Sequence, residues 1–279
     1  MHYTEAGQFS LFVQAARYAR RVTSEQTKLT ACVVCMNEED RIADCLDSLA
    51  FCDEIICVDS HSTDRTREIA AEKGARVVER DWPGFRGQKE FAAAMASNDW
   101  ILSLDADERV SQRLRGEIEA LREQGFPQHA GWSMPRLSSY LGGWMRHGSW
   151  YPDRQLRLYN RSHGEWVARE PHPRVEVRGS TGRLKGDLEH HPFRTFEEHL
   201  ATIDKYTTIM AAEMAKEGKR ASVADIVVAP TLRFLKFYVV KRGFLDGWRG
   251  ILMAYLAAHY GRLKYAKLLV AQRETATPK

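Results

Sequence analysis

The sequence predicts an α/β protein, a doubly wound and mainly parallel sheet with a C-terminal helical extension. Three observations lead there. Short apolar runs alternate with amphipathic helical stretches from residue 29 to residue 124. Polar and acidic residues follow each run at its C-terminal end. After Phe196 the pattern becomes helical throughout.

Leu29 to Met36 reads as a buried strand, and Asn37-Glu38-Glu39-Asp40 opens a helix with Ile42, Leu46 and Leu49 on its apolar side. Glu54 to Asp59 is the second strand. Ser60 to Asp64 is suited to capping a helix from Arg65 to Lys73, which Gly74 ends. A third strand spans Ala75 to Val78, and a helix runs from about Gln88 to Ser97. The fourth strand lies in Asp99 to Glu108, an apolar run that ends in Asp105, Asp107 and Glu108. A helix over Ser111 to Gln124 and a strand over Gly131 to Arg136 follow. Between Tyr140 and His191 periodicity fades, which predicts long irregular loops of the kind that form lids. Trp144, Trp150, Tyr151 and Trp166 in this stretch suit stacking on sugar or base faces, or simple packing. Phe196 to Glu217 reads as a helix, and a second helical stretch begins near Pro230. The expected organisation is an N-terminal helix and linker over 1–28, a sheet domain over 29–195 and a helical extension over 196–279.

With 279 residues, 44% hydrophobic and 28% charged, the chain can bury a large core. A net charge of +4 is no argument for nucleic acid. The basic residues concentrate late: Thr231 to Val270 holds eight Lys or Arg against one acid, Asp246, interleaved with aromatics. That pattern fits a helix lying on an anionic bilayer, or a packed helical cap with a solvated basic face. No run reaches the roughly 18 apolar residues of a membrane span. The five cysteines, Cys32 to Cys57, sit in buried-looking segments and fit reduced core thiols, and no secretory leader is apparent. The expected location is cytoplasmic, peripheral on the inner face of the cytoplasmic membrane.

Parallel strands bind ligands at their C-terminal ends. Asn37, Glu38, Asp59, Asp64, Asp105 and Asp107 each follow a strand, so the fold gathers them into one acidic crevice. Clustered carboxylates repel unless a cation sits among them, and oxygen ligands suit Mg2+ or Mn2+. The alternative is a solvated turn feeding the next helix.

The chain resembles the family 2 inverting glycosyltransferases of the GT-A fold, and among them the WaaE/KdtX-type lipopolysaccharide core glucosyltransferases. The resemblance covers about residues 29 to 270. It rests on Val34 to Glu39, Val58 to Asp64, Gly87-Gln88-Lys89, Leu104 to Glu108, Trp150 to Tyr159 and Gly243 to Gly247. It implies that Asn37, Glu38 and Asp59 meet the base and ribose of a nucleotide sugar. Lys89 helps hold that donor, and Asp105 and Asp107 bind the cation that bridges its diphosphate. Arg154 and Arg157 add fork-shaped phosphate contacts, or are surface charge. The implied acceptor is a lipid-linked glycan.

Inverting transfer needs a base for the acceptor hydroxyl. The resembling family carries a His-Glu pair where this chain reads Pro171-His172-Pro173-Arg174, so the expected Glu is missing. Asp153 is the first candidate base and Glu170 the second, with Glu176 also in the region. His172 or His190 is a candidate for the metal shell or a phosphate contact, or a structural histidine. Two other readings compete: a sugar-phosphate nucleotidyltransferase, and a nucleotide-binding peripheral membrane protein that lacks a base.

Overall fold

The computed structural model describes residues 27–167 and 173–276. The N-terminal helix expected over 1–28 and the candidates Glu170 and His172 lie outside the described residues, apart from residues 27 and 28.

Strands β1 (Leu29–Cys35), β2 (Glu54–Asp59), β3 (Arg76–Glu79) and β4 (Trp100–Asp105) run parallel in the order β3-β2-β1-β4. Their register sets Cys35 beside Asp59 and Val34 beside Asp105, so three strand ends open on one edge. Helices α1 (Ile42–Ser48), α2 (Thr66–Glu72) and α3 (Phe85–Ala94) form the crossovers. Alternate residues of β1 pack on opposite faces. Ala31 and Val33 meet Ile42 and Leu46 of α1, whereas Cys32 joins Ala92 of α3 in a second core. A sheet covered on both sides explains why its strands read as continuous apolar runs.

Helix α1 starts at Ile42, not at Asn37. Asn37 takes a left-handed φ of 55°, which a helix cannot accommodate, and its side-chain oxygen accepts from Thr63 N at 2.8 Å.

Beyond β4 the sheet turns mixed. After β5 (Glu108–Val110) and α4 (Gln112–Glu123) come β6 (Gly131–Tyr140), β7 (Gly143–Trp144), β8 (Asp153–Asn160), β9 (Gly164–Val167), β10 (Arg174–Val177), β11 (Thr181–Arg183) and β12 (Leu188–His190). Strand β8 inserts antiparallel between β4 and β6, and β12 pairs with β6 and β5. The stretch from Tyr140 to His191 therefore holds the strands β7 to β12 with turns between them, in place of the expected loops. These strands are mostly two to four residues long and carry charged residues, too short for a period to register in sequence.

The extension holds α5 (Phe196–Lys216), α6 (Val223–Leu235) and α7 (Gly247–Ala276), with a π-helical turn Lys236–Val240 and a 3-10 turn Gly243–Asp246 between the last two. Thr195 caps α5 through Glu198 N. A capping box between Ser222 and Asp225 starts α6 seven residues before Pro230, which sits inside the helix. Ile203, Met253 and Leu256 close against Tyr140 and Met145 of the sheet end. His199 is buried there, stacked on Phe193 at 4.0 Å and bonded through Nδ1 to the Tyr140 hydroxyl at 3.0 Å.

Two glycines test this packing in opposite directions. A Cβ on Gly186 would come within 2.3 Å of Leu114 N, whereas one on Gly116, inside α4, meets nothing. Gly186→Ala is expected to destabilise by about 1–3 kcal/mol, and Gly116→Ala to stabilise by about 0.5–1 kcal/mol, both read from urea unfolding. Burial pushes the His199 pKa down to about 4. An unfolded histidine titrates near ~6.5, so between these values the unfolded chain binds the extra proton. Stability is full above about pH 6.5 and falls as pH drops toward 4. The melting temperature should fall between about pH 7.5 and pH 5.5, and His199→Gln should flatten that slope.

Candidate active site

The end of β4 is organised by alternating charge. Asp105 Oδ1 lies 2.6 Å from Lys89 Nζ, and its Oδ2 accepts from Arg157 Nη2 at 2.8 Å. The same Arg157 nitrogen donates to Glu108 Oε1 at 2.9 Å. Arg136 Nη1 reaches Glu108 Oε1 at 3.2 Å, and its other nitrogens hold Asp153 Oδ2 at 2.6 and 2.9 Å. Lys89, Arg157 and Glu108 are buried. Trp166 floors the two cations, with Lys89 Nζ 5.0 Å and the Arg157 guanidinium 5.9 Å from its ring centre.

Burial alone would raise the Asp105 pKa, but Lys89 and Arg157 reverse the sign and hold the carboxyl well below its usual range. Burial and the neighbouring Arg157 push the Lys89 ammonium down from its ordinary value. For Arg157, burial pulls down while Glu108 and Asp105 pull harder, so its pKa rises. Asp105 and Arg157 each favour the charged form of the other.

The three carboxylates after β4 therefore have three roles. Glu108 is fully buried, and its Oε2 accepts the backbone N–H of Asp105 at 3.0 Å, so it anchors the turn from inside. Asp105, expected as a metal ligand, has each oxygen engaged by a cationic side chain, which leaves it a poor second ligand. Asp107 is different. Its Oδ2 lies 3.4 Å from His190 Nε2, and its Oδ1 is buried with no partner. Burial raises its pKa and His190 more than offsets that, so it stays ionised. The backbone N–H of His191 donates to Asp107 O at 2.9 Å, and His191 Nε2 is likewise buried without a partner. Ser138 and Ser139 orient the two rings through Nδ1, each at 2.9 Å. Burial lowers the His191 pKa, which leaves an imidazole nitrogen in its neutral, ligating form.

Among the described residues no three His, Cys, Asp or Glu side chains gather tightly enough to hold a metal ion alone. Mg2+ commonly binds through one or two carboxylates and the substrate's phosphates, keeping waters. An unpartnered Asp107 carboxylate oxygen and an unpartnered His191 ring nitrogen, on backbones joined by the His191 N–H to Asp107 O bond, are donor types that such an ion accepts.

The other expected residues divide between the crevice surface and its frame. Asp59 is fully buried, and both its oxygens are held internally by Ser62 N at 2.8 Å, by the Ser62 hydroxyl and by the Cys35 thiol at 3.5 Å. It shapes the loop after β2 and offers no free acceptor edge. Asp64 does similar work, accepting from Thr66 N at 3.0 Å and Glu39 N at 3.2 Å. Asn37 and Glu38 are more open. Glu38 Oε2 accepts from Arg41 at 2.7 Å and Arg194 at 3.0 Å, while burial raises its pKa. Arg154 points away from Arg157, as strand alternation requires, and donates to the carbonyls of Ser133 and Leu184. Asp153 keeps 37% of its side chain exposed, with Oδ1 accepting from Gln155 at 2.9 Å.

Of the four aromatics suited either to stacking on ligand or to packing, Trp166 is buried beneath the cations and Trp150 packs near Tyr140. Tyr151 bonds Asp187 at 2.9 Å. Trp144 is exposed at the crevice edge, 5.4 Å from the His191 ring. Sequence reasoning missed Arg41, Arg136, Arg194 and His191. The His190-His191 pair was the available signal, since adjacent histidines at a strand end pair poorly with a purely structural role.

A family model described as glycosyl transferase family 2 matches residues 30–166. The lipopolysaccharide core biosynthesis glycosyltransferase LpsC of Rhizobium meliloti is 30% identical over 257 residues, 90% of this chain and 95% of that protein. An uncharacterized glycosyltransferase of Rickettsia typhi is 31% identical over 252 residues, 86% of each chain. Among solved structures, S. aureus TarS 1-349 with UDP-GlcNAc aligns with a TM-score of 0.45 at 13% identity, over 89% of this chain and 92% of that one. Glucosyl-3-phosphoglycerate synthase from Mycobacterium tuberculosis, with Mn2+, UDP and its product, aligns with a TM-score of 0.46 at 16% identity, over 73% and 84%. The family model and relatives matched almost end to end point the same way: the chain belongs to glycosyltransferase family 2 and is a glycosyltransferase.

Proposed function

We propose that this enzyme moves a hexose with inversion from a nucleotide sugar, of the UDP-glucose kind, to a membrane-associated glycan such as a lipopolysaccharide core intermediate. The observation that carries this reading is the buried, unpartnered Asp107 oxygen on a carboxylate that also meets His190, next to the charge network of Lys89, Arg157 and Arg136. The printed name of the Rhizobium relative supports the choice of acceptor. Donor and acceptor would meet at the inner face of the cytoplasmic membrane, the side that nucleotide sugars reach.

As the glycosidic bond breaks, negative charge grows on the leaving diphosphate. A bound Mg2+ or Mn2+ would supply Lewis-acid stabilisation of that charge. Asp107, with His191 beside it, would hold the ion. Lys89 and Arg157 add fixed positive charge nearby, and because Asp105 and Glu108 pin them in place they need no reorganisation when charge develops. Asn37 and Glu38 are the surface positions left for the nucleoside, with Asp59 and Asp64 acting through the loop they brace. Asp153 is our assignment for the base. Arg136 fixes its Oδ2, its Oδ1 accepts from Gln155, and with 37% of the side chain exposed a remaining lone pair can face an acceptor hydroxyl.

Asp107→Asn keeps the shape of the side chain and removes its charge. Transfer, followed as nucleoside diphosphate release with Mn2+ present, should fall about a hundredfold or more, with thermal stability changed by less than about 1 kcal/mol. Transfer at the parental rate would end the metal assignment. For the base, Asp153→Asn and Glu170→Gln are compared through pH profiles of kcat. Asp153→Asn should lower kcat by about 10²–10⁴ and erase the acidic limb, with Glu170→Gln close to wild type. The reverse pattern moves the base to Glu170.

A further inference from the structure

Helix α6 wears its apolar side outward. Val223, Val227, Val228, Leu232 and Leu235 are 47–67% exposed, and within the helix only Pro230 is buried. Thr231, the one hydroxyl on this outer face, already donates to the Val227 carbonyl at 2.9 Å. Asp225, at the rim, is occupied by the Ser222 backbone and hydroxyl. A helix in contact with water has the opposite polarity. Further along the chain Val239 and Val240 are 55% and 72% exposed, and Leu245 and Trp248 54% and 56%.

Cations frame it. Arg220 precedes the helix, and Lys236, Lys241 and Arg242 follow it, all exposed. Among the described residues no carboxylate is recorded in an ion pair with any of these four, and Asp246 is occupied by His147 at 2.7 Å. A two-fold pairing of this face with a second copy would press like charges together. Anionic lipid headgroups around an acyl surface match both components at once. A helix of 13 residues is about 20 Å long, and no described helix is long and apolar enough to cross a membrane, so the fitting geometry is a helix lying in the interface.

The same face leads to the active site. Arg249 lies over the Trp248 ring at 4.7 Å and donates twice to the Leu141 carbonyl, at 2.9 and 3.1 Å. Leu141 sits in the turn between β6 and β7, and β7 carries Trp144, the aromatic beside His191.

We propose that the outer face of α6, continued to Trp248, inserts into the headgroup boundary of an anionic bilayer, so that attachment is by apolar insertion and not by a basic face alone. This rests on the reading of a membrane-associated acceptor for its purpose, but its test needs neither donor nor acceptor. Full-length protein is floated with vesicles of phosphatidylethanolamine and phosphatidylglycerol, and with phosphatidylcholine alone. Binding to the anionic vesicles should persist at about 0.5 M salt, where the Debye length is roughly 4 Å. The double variant Val227→Asp, Leu232→Asp should lose binding by about tenfold or more while keeping its melting temperature and its rate of donor hydrolysis. Undiminished binding by the variant overturns the proposal, as does binding by the parent that salt abolishes. A parent that ignores vesicles but forms dimers that the double variant dissociates overturns it in favour of a second copy. Loss of transfer in Asp107→Asn with intact vesicle binding leaves this inference standing, and the converse leaves the catalytic reading standing.

Discussion

The constraint on which the rest of this structure depends is the pairing of two neighbouring carboxylates, the fully buried Glu108 and the partly exposed Asp105, at the end of β4. A buried, unpaired carboxylate is costly, and removing one partner from a buried pair typically costs about 3–5 kcal/mol. Neutralising both here takes Lys89 from α3 and Arg157 from β8, and these must arrive from opposite directions in the chain. Arg157 reaches Asp105 because β8 runs antiparallel beside β4, with Leu102 opposite Leu158. The change from a parallel to a mixed sheet is thus tied to the site's electrostatics. A βα crossover at this position would set a different residue against Asp105.

That same pairing decides which acid is open to chemistry. Asp105 is clamped on both oxygens, Glu108 is turned inward to the backbone, and Asp107 alone of the three keeps a buried oxygen without a partner. One residue of spacing in an Asp-X-Asp run separates a group that holds the scaffold from one with a coordination position to offer. Clustering like charges need not require a metal at every carboxylate. Two of the three here are balanced by protein cations, and they pre-order the third.

The first four βα units were legible because strands buried on both faces must be continuously apolar, and because the helices between them carry an apolar stripe. Their polar ends were legible for the same reason, since α/β sheets bind at strand C-termini. What escaped was set by long-range pairing. Nothing local distinguishes Asp59, held by Ser62 and Cys35, from an acid that faces a ligand. Arg136 lies on β6 as that strand's one charge, and its value comes from Glu108, which approaches from β5. Strands as short as β9 to β12 owe their existence to neighbours already in place, which no window of sequence contains. Pro230 misled for a simpler reason: proline is common at a helix start, yet here the Ser222 and Asp225 capping box fixes the start and proline is carried inside.

The helical extension is coupled to the crevice at both ends of its path. Arg194, just before α5, donates to Asn37 O, Glu38 and Asp40, which joins the extension to the loop after β1. At the other end Asp246 accepts from the backbone N–H groups of Arg146 and His147, and Arg249 grips Leu141. Both attachments flank His190 and His191, whose serine partners lie on β6. An extension tied at two points on either side of a site fixes the direction in which the site opens relative to the extension's own outer face. If that face were solvated, such rigidity would serve no evident purpose, because a soluble acceptor arrives from any direction. An acceptor confined to a plane arrives from one, and a fixed angle between that plane and the crevice then replaces a search in orientation with a single approach.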